Sequence, residues 1–465
     1  MKTLSMTTIG LLVTVLTACQ NTDMSAQSAV QLPGQFEHSQ AAAGSREVVQ
    51  WWRNWQDPQL TRLIEQGLAN NLDVALAQSR LREAQANSRA ADADRGPSVG
   101  AAASGGWSVA DLDTGRGNPP SSRSYSALGA IVASWEPDFF GQKRSDADAA
   151  QHIALSYQEQ VYAAQLLVAS QIAENYFKIY ATDQQSAVLK QNISALQQLQ
   201  RYVKGRFSAG DATAYEVNEI GSQVSALQAK QATLQAQSDS YQRNIAILIG
   251  QTPQGFRIIK SADPLARLPA APSGQQPGNL LERRPDIRAN AQQIQAAMAK
   301  VASAKADLYP RFDITFAGQG GRIELNNDLS HVSGLGSLLS LGVQLPIFTN
   351  GRIQANIDAA DARLKGALVQ YDKTLLNALG EVDSAYQMQY GLTNQTQLLQ
   401  KAYQQAEQQA RDAQALFRHG EKTLDVALRA QITALNYRGQ IIESRLHSAQ
   451  NLINLYKALG GGWQP

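Results

Sequence analysis

Cys19 is the residue whose type and position point most directly to a chemical reaction, because it is the single cysteine among 465 residues. Leu-Thr-Ala precedes it at positions 16–18, after a basic Lys2 and a short apolar stretch. A charged start, a short apolar segment and a small-residue cleavage site are typical of an export signal, and a site that ends on cysteine is the lipobox of bacterial lipoproteins. A lone cysteine in an exported protein cannot form an internal disulfide. The pattern predicts a signal peptide over residues 1–18 and a covalent lipid on Cys19, with no other cofactor.

The residue after this cysteine, Gln20, bears on the location of the protein. In Gram-negative lipoproteins an Asp at this place usually retains the protein in the inner membrane, so by that resemblance Gln20 indicates the outer membrane. We therefore expect a lipid-anchored protein of the outer membrane that extends into the periplasm. A plain signal peptide followed by a chance cysteine is the alternative interpretation.

The remaining residues with chemical potential do not form a catalytic or metal-binding pattern. The sequence contains no HExxH, Gly-x-Ser-x-Gly or phosphate-loop motif. Its 41 basic and 39 acidic residues nearly balance, which disfavours nucleic-acid binding. We therefore expect that the protein is not an enzyme and that energy for any transport comes from a partner. The histidines are scattered and lack the spacing of metal ligands: His38, His152, His331, His419 and His447.

An internal repeat, spaced by about 210 residues, organises the chain. The order predicted within each half is helix, strand, strand, very long helix, turn and helix. The halves are joined by a connector rich in Pro, Gly and Gln. This predicts repeat 1 over 61–250, the connector over 251–283, repeat 2 over 284–460 and a tail over 461–465. Four landmarks recur in the same order: 81–99 and 294–312, 138–144 and 346–352, 206–213 and 416–423, and 248–250 and 458–460.

Period-two alternation predicts two strands in each repeat. The strands are expected at about 97–109, 124–136, 311–321 and 334–346, joined by polar loops. About 10 residues is the length that a tilted strand needs to cross a bilayer. A small soluble sheet is the alternative on the strands alone.

Heptad spacing of apolar residues predicts long paired helices after each strand pair. The pattern gives hairpins at about 145–250 and 352–459, with first helices of about 55 residues, or ~80 Å. The residues between the apolar positions are mostly Ala, Gln, Ser and Asn. Such small neutral faces permit close helix approach or contact with water in a channel, but they cannot build one thick apolar core.

The strand count implies an assembly of several copies. Four strands cannot close a barrel, and an open sheet edge is not tolerated in lipid. Two copies would supply eight strands, whose interior is filled by side chains, whereas three would supply twelve and leave a channel. We therefore expect a homotrimer; a lipid-anchored coiled-coil scaffold without a pore is the competing interpretation.

Four motifs resemble those of the TolC-like outer-membrane efflux family, in its lipoprotein (NodT-type) branch. They are Trp-Trp-Arg-Asn-Trp-Gln-Asp-Pro at 51–58, Ser-Trp-Glu-Pro-Asp-Phe-Phe-Gly at 134–141, Glu-Arg-Arg-Pro-Asp-Ile at 282–287 and Asn-Leu-Tyr-Lys-Ala-Leu-Gly-Gly-Gly-Trp at 454–463. The resemblance implies a mainly α chain with a transmembrane β part. Its trimer would form a 12-stranded β-barrel continuous with a periplasmic 12-helix α-barrel. Residues 19–60 would supply equatorial contacts beside the lipid.

The same resemblance implies a function and partners. The protein would be the passive exit duct of a tripartite pump, working with a periplasmic membrane-fusion adaptor and an inner-membrane pump of the RND or MFS type. Small molecules such as drugs are the expected substrates, and ducts for metal ions or for secreted protein are the alternatives within this class. The lipobox and the Arg-Arg-Pro-Asp run favour small molecules.

The two helix turns are the predicted functional sites. By resemblance they form the periplasmic mouth that an adaptor contacts, and a purely capping role is the alternative. Gly210 and Gly420 are expected to reverse the chain, while Thr213 and Thr423 are good N-caps for the returning helices. The predicted docking set is Arg206, Phe207, Gly210, Thr213, Phe417, Gly420 and Thr423.

Charged residues just past the turns could close the mouth when paired across copies. Many relatives carry an Asp where this chain has Arg429, so an inward acidic ring cannot be assumed. Arg429 could instead pair with Glu216 or Asp425, or weaken cation binding. A solvated charged face is the alternative, since exposed pairs contribute only ~0–1 kcal/mol each. The gate candidates are Glu216, Glu219, Lys422, Asp425 and Arg429.

Overall fold

The computed structural model describes residues 28–110, 122–260, 263–325 and 330–463. The predicted signal peptide and Cys19 lie outside these ranges, so lipidation stays a prediction. The helices and strands follow one another as α1 (Pro58–Asn70), α2 (Leu72–Ala93), β1 (Ser98–Ala110), β2 (Ser122–Trp135), α3 (Gln142–Ser208), α4 (Ala214–Leu248), α5 (Asn279–Arg283), α6 (Pro285–Ala306), β3 (Arg311–Leu325), β4 (Ser330–Gln344), α7 (Arg352–Arg418) and α8 (Leu424–Ala458).

Duplication of the chain is visible in the lengths of its helices. Helices α3 and α7 have 67 residues each, α4 and α8 have 35 each, and α2 and α6 have 22 each. Gln142 and Arg352, which begin α3 and α7, lie 210 positions apart, and α2 and α6 begin 213 positions apart. A 67-residue helix is ~100 Å long, so both hairpins exceed the sequence estimate. The mainly α, duplicated fold predicted from the sequence is confirmed.

Local signals fix where the helices begin. Asp57 accepts hydrogen bonds from the backbone N–H groups of Gln59 and Leu60 at 2.8 and 3.1 Å, and Pro58 occupies the first turn. A side-chain acceptor at the N-cap and a proline directly after it are strong helix-start signals. Gly141, with φ 78°, lets the chain leave β2 and enter α3 directly.

The strands form one antiparallel sheet in the order β1-β2-β3-β4. Ile131 of β2 lies opposite Ala101 of β1 and Gly318 of β3, and Arg311 begins β3 opposite Gln344 of β4. Within this sheet β1 and β4 each pair along one side only. Both edges therefore present backbone groups that another strand could pair with.

β3 and β4 are longer than predicted, because part of the expected loop continues their pairing. Arg322 and Ile323 lie opposite Ser333 and Val332, beyond the predicted strand end at residue 321. The polar composition of this stretch resembled a loop, but Arg322 forms an ion pair with Glu324 at 2.6 Å on the strand itself. A local charge pair thus allows polar residues to extend a strand.

The main apolar core joins the N-terminal segment to the middle of the long helices. Trp51 is fully buried and stacks on Tyr456 of α8 with ring centroids 5.6 Å apart. Trp55 packs on Phe177 of α3 at 5.4 Å. Aromatic side chains bury large apolar areas, so this cluster fixes the N-terminal segment to both hairpins.

Two of the recognised sequence motifs meet in space. Arg284 donates to the carboxylates of Asp286 and Glu381 at 2.7 Å and to the carbonyl of Ala458 at 3.1 Å. The indole N–H of Trp463 donates to the carbonyl of Arg283 at 3.0 Å. The Arg-Arg-Pro-Asp run therefore fixes the end of α8 and the segment that follows it.

The long helices lie side by side in the order α4, α3, α8, α7, and the shorter α2 and α6 pack against them. Helix α6 packs on both α3 and α7, whereas α2 packs on α3. The layer is one helix thick at the hairpins. None of the helices in the described ranges combines the length and the apolarity that crossing a membrane requires.

Candidate functional site: the two helix turns

Two tight turns reverse the long helices at the end of the hairpins opposite the strands. The chain passes from α3 to α4 through residues 209–213 and from α7 to α8 through residues 419–423. Gly210 has φ 87° and Gly420 has φ 77°. A residue with a Cβ rarely adopts this left-handed conformation, so the predicted chain-reversing role of both glycines is confirmed.

Backbone hydrogen bonds close both turns in the same way. The N–H of Asp211 donates to the carbonyl of Arg206 at 2.8 Å, and the N–H of Glu421 donates to the carbonyl of Leu416 at 2.9 Å. These long 6→1 bonds, together with the glycine conformations, define Schellman helix ends. The backbone geometry of the two repeats is therefore equivalent at the tip.

The first turn carries a complete capping box. The backbone N–H of Thr213 donates to the Glu216 carboxylate at 2.7 Å, and the N–H of Glu216 donates to the Thr213 hydroxyl at 3.3 Å. The bonds from Thr213 hold the pKa of Glu216 below its ordinary value, and the positive charges of Arg206 and Arg429 act in the same direction. The carboxylate of this gate candidate is therefore already engaged by the backbone of its own chain.

The second turn lacks this box. Thr423 occupies the N-cap position of α8, as predicted, but its side chain makes no capping hydrogen bond. Val426 stands where Glu216 stands in the first repeat, so no carboxylate can return to the N-cap backbone. The prediction of Thr423 as the N-cap residue of α8 is therefore confirmed, and the two turns differ in that the Thr423 hydroxyl makes no capping hydrogen bond.

The predicted docking residues differ in exposure and contacts. Phe207 is 48% exposed, whereas Phe417 packs against an alanine cluster between α7 and α8. The guanidinium of Arg206 donates to the carbonyl of Asp211 at 2.6 Å and stiffens the first turn. Phe207 is thus the apolar side chain that the first turn presents to solvent.

The gate candidates do not pair with one another within the chain. Among the described residues no ion pair joins Glu216, Glu219, Lys422, Asp425 or Arg429 to any partner. Within one chain, the described residues thus form no ion pair between Arg429 and Glu216 or Asp425, and pairing across copies stays a prediction. Arg429 still acts on Glu216 through its charge, because it contributes to the lowered pKa.

Sequence patterns missed the contact that joins the two hairpins near the tip. Leu428 of α8 is 3% exposed and packs into an apolar cluster formed by the first hairpin. The heptad spacing marked these positions as apolar but did not show which helix they face. The cluster consists of Leu196, Leu199, Val203, Ile220, Val224 and Leu428.

No group of three or more His, Cys, Asp or Glu side chains that could hold a metal ion occurs in the described part of the chain. The two turns present exposed aromatic, charged and backbone groups at helix ends.

The sequence matches the protein family described as Outer membrane efflux protein over residues 63–251 and 277–461. The chain belongs to this family. Each matched range contains one repeat of the duplicated helix and strand pattern. The family resemblance inferred from the motifs is thereby confirmed.

Relatives and solved structures align over nearly the full length. The chain is 28% identical to the pyoverdine export outer membrane protein OpmQ of Pseudomonas aeruginosa, covering 100% of this chain and 98% of that protein. It is 27% identical to the cation efflux system protein CusC of Escherichia coli strain K12, covering 96% and 97%. The outer-membrane channel OprN has the same fold, with 24% identity, a TM-score of 0.81 and coverage of 95% and 99%. VceC of Vibrio cholerae gives 25% identity, a TM-score of 0.72 and coverage of 91% and 100%.

Membership of the outer membrane efflux protein family sets the function and the location of the chain. It is an outer-membrane channel protein of an efflux system, located in the outer membrane and extending into the periplasm. The family consists of channel and transport proteins. The predicted export function and outer-membrane location are confirmed.

Proposed function

We propose that three copies of this chain form one passive duct, which an adaptor and an inner-membrane pump load at the helix turns with small molecules. The copies would join both sheet edges into a 12-stranded barrel and both hairpin edges into a 12-helix tunnel. The adaptor is of the periplasmic membrane-fusion class, and the pump is of the RND or MFS type.

The observation that carries this proposal is an incomplete internal symmetry. Helix α6 packs between α3 and α7, but its counterpart α2 packs only on α3 among the long helices. Symmetry between the repeats therefore requires that α2 also pack on an α7, and the α7 of its own chain is covered by α6. A second copy of the chain can supply that helix.

The exposed apolar residues support this arrangement. On α7, Val369 is 67% exposed and Leu376 is 56% exposed, whereas their counterparts on α3, Glu159 and Leu166, are 6% and 7% exposed. On α2, Leu76 is 50% exposed, and its counterpart Ala289 on α6 is buried. Positions that the chain itself buries in one repeat are thus exposed at the equivalent place in the other repeat, on the surface where a neighbouring copy would pack. Burial of this apolar area would favour association.

The sheet edges indicate how many copies close the assembly. β1 and β4 each need a partner strand in lipid, and bacterial barrels have at least eight strands. Two copies would form an eight-stranded barrel whose interior is filled by side chains, so three is the smallest number of copies that leaves a channel. One rotation, which relates each copy to the next, would then pair both the sheet edges and the hairpin edges.

The lipid would anchor the duct from its N-terminal side. Cys19 follows a lipobox in the sequence, and the first described residues run along α7, where the hydroxyl of Ser28 donates to Asp372 at 2.5 Å. An acyl chain on Cys19 would therefore add a membrane attachment outside the barrel wall.

A duct for metal ions is the second candidate within the same class. It is favoured by the similarity to a cation efflux system protein over 96% of the chain. Export of organic drugs and of silver or copper ions can be compared directly in cells that lack their own channel. Resistance restored only to metal salts would replace the organic substrate class and leave the duct intact.

The proposal is tested by purifying the mature lipoprotein in detergent and measuring its mass and its single-channel conductance in planar bilayers. We expect the mass of three copies and discrete conductance steps, which rise when tip contacts are loosened by the double variant L428D/I220D. A stable monomer, or bilayers that stay silent with both the native and the tip variant, would overturn the proposal.

The docking role of the turns needs a separate test in cells. Phe207→Asp, at the exposed aromatic side chain of the first turn, should abolish drug resistance while trimer mass and conductance remain native, and Phe417→Asp should also lower resistance while it removes the packing of Phe417 on the alanine cluster between α7 and α8. Lys190→Gln, an exposed change on α3 outside both turns and between α4 and α8, is the matched control and should leave resistance unchanged. Full resistance in both aspartate variants would remove these aromatic residues from the docking surface.

A further inference from the structure

A long groove of about 930 Å³ runs along the outer side of the second hairpin. Its floor is α7 from Tyr386 to Gln404 together with part of α8, and its wall is formed by residues 38–43 and 265–271. The stretch of α7 spans ~27 Å at 1.5 Å per residue. An extended peptide of about eight residues has the same length.

The wall of the groove is mostly aliphatic and includes Leu265 and Leu268, its floor carries basic, amide and aromatic side chains, and no carboxylate is among its described lining residues. Lys401 and Arg445 supply two positive charges, and the ring of Tyr390 stacks on His38 with centroids 6.5 Å apart. The α7 carboxylates beyond its two ends are already engaged. Asp383 accepts the N–H of Glu37 at 2.8 Å, and Glu407 pairs with Arg411 at 3.2 Å.

The equivalent groove of the first hairpin is occupied by the chain itself. Arg257 pairs with Asp239 of α4 at 3.4 Å, and Lys260 forms an ion pair with Asp183 of α3. Between them the backbone N–H of Ile258 donates to the side-chain carbonyl of Gln242 at 3.3 Å. Two carboxylates thus hold an extended basic segment, residues 256–260, and a side-chain amide accepts a hydrogen bond from its backbone.

The second groove keeps this scaffold but inverts its charge. The positions equivalent to Asp183 and Asp239 are Thr393 and Ala449, both neutral. Lys401 and Arg445 stand where the first hairpin has Gln191 and Gln235. The tyrosines of the floor are retained, since Tyr386 and Tyr390 correspond to Tyr176 and Tyr180.

Among the described residues, those directly after α8 do not line the second groove. Trp463 instead reaches the carbonyl of Arg283. The glutamines of the second groove, Gln397, Gln400 and Gln404, offer amide groups that can bind an extended backbone as Gln242 does.

We propose that this groove binds an extended, acidic peptide segment of a partner protein. The first hairpin shows that this arrangement of helices can hold an extended segment. Because the second groove is basic, a segment that binds there should be acidic. Lys401 and Arg445 are the two side-chain cations that line the groove, and each can pair with a carboxylate of the bound segment. The inference concerns a surface within one chain and goes beyond the export function.

The test uses the full mature protein in detergent and a fluorescent, photoreactive octapeptide that alternates Glu with apolar residues. We expect saturable binding that weakens as salt rises, and crosslinks that map to residues 386–404. The double variant K401Q/R445Q, which installs the residues of the first hairpin, should weaken binding at least tenfold. K190Q removes an exposed cation of the first hairpin and should leave the affinity unchanged.

Three outcomes would overturn the proposal. They are equal binding of the peptide in which Lys replaces Glu, unchanged affinity in K401Q/R445Q, and crosslinks confined to other surfaces. A changed oligomeric mass in K401Q/R445Q would assign the groove to contact between copies and also contradict it. Conductance measured on the same preparations separates these failures from a failure of the duct itself.

Discussion

The two repeats have helices of equal length but differ in what covers them. The tryptophan-rich N-terminal segment contacts both hairpins, but on the first its Trp55 covers Phe177, which is fully buried. The equivalent residue of the second hairpin is Gln387, which is exposed. Duplication therefore preserved the backbone, while the segments outside the repeats decided which positions became core.

Equivalent positions of the two repeats also differ in charge, between a contact inside the chain and the proposed contact between copies. Glu159 of α3 pairs with Arg288 of α6 at 2.7 Å, and burial raises the pKa of Glu159 although Arg288 opposes the shift. At the equivalent positions, Val369 of α7 and Ala75 of α2 carry no charge. An internal contact can use a buried ion pair, whereas surfaces that meet during assembly avoid the cost of desolvating charges.

The largest effect is expected from exchanging the covered and uncovered positions. Phe177→Gln should lower the free energy of unfolding by about 3–5 kcal/mol, because it removes a fully buried ring. Gln387→Phe should change it by less than about 0.5 kcal/mol. Thermal unfolding followed by circular dichroism in detergent compares the two, and equal losses would show that both hairpins are covered alike.

A second, smaller effect tests the contact between copies. Val369→Glu places an unpaired carboxylate there and should weaken the trimer by about 2–3 kcal/mol per contact. Adding Ala75→Arg recreates the pair seen within the chain and should restore part of the trimer. Native mass measurements against concentration report both changes. A Val369→Glu trimer of native stability would rule out the contact between α2 and α7.

At the tip, the capping box of the first turn should matter more than the unbonded cap of the second. Thr213→Ala is expected to lower the local stability of the first turn of α4 by about 1 kcal/mol. Thr423→Ala should change α8 by less than about 0.5 kcal/mol. Hydrogen exchange at the two helix starts measures both, and similar losses in protection would contradict the difference in capping.

The smallest effect is a pH dependence restricted to the first turn. Because the bonds from Thr213 lower the pKa of Glu216 below 4.5, the box adds stability above about pH 4.5, and this is lost as pH falls through the lowered pKa. Exchange protection of α4, corrected for intrinsic rates, should therefore fall in acid. Glu216→Gln should remove that step, and Asp425→Asn in the second turn is the matched control. A step that survives in Glu216→Gln would assign it to another group.

Much of the fold could be predicted from local patterns. Alternation located the strands, heptads located the helices, and a glycine before a threonine located both turns, since each signal depends on neighbouring residues. The ends of β3 and β4 were missed because a charged pair within a strand resembles a loop. Thr423 was correctly predicted at the N-cap of α8, but the sequence pattern did not show that its side chain makes no capping hydrogen bond.

Sequence by itself determined the duplication, the family and the residue types at the tip. It could not show that Leu428 packs on the first hairpin, that Arg283 meets Trp463 across 180 positions, or that one groove is filled and the other open. Those features depend on which helix faces which, and on segments that return from elsewhere in the chain. Helical periodicity defines a face, but only the packed structure supplies its partner.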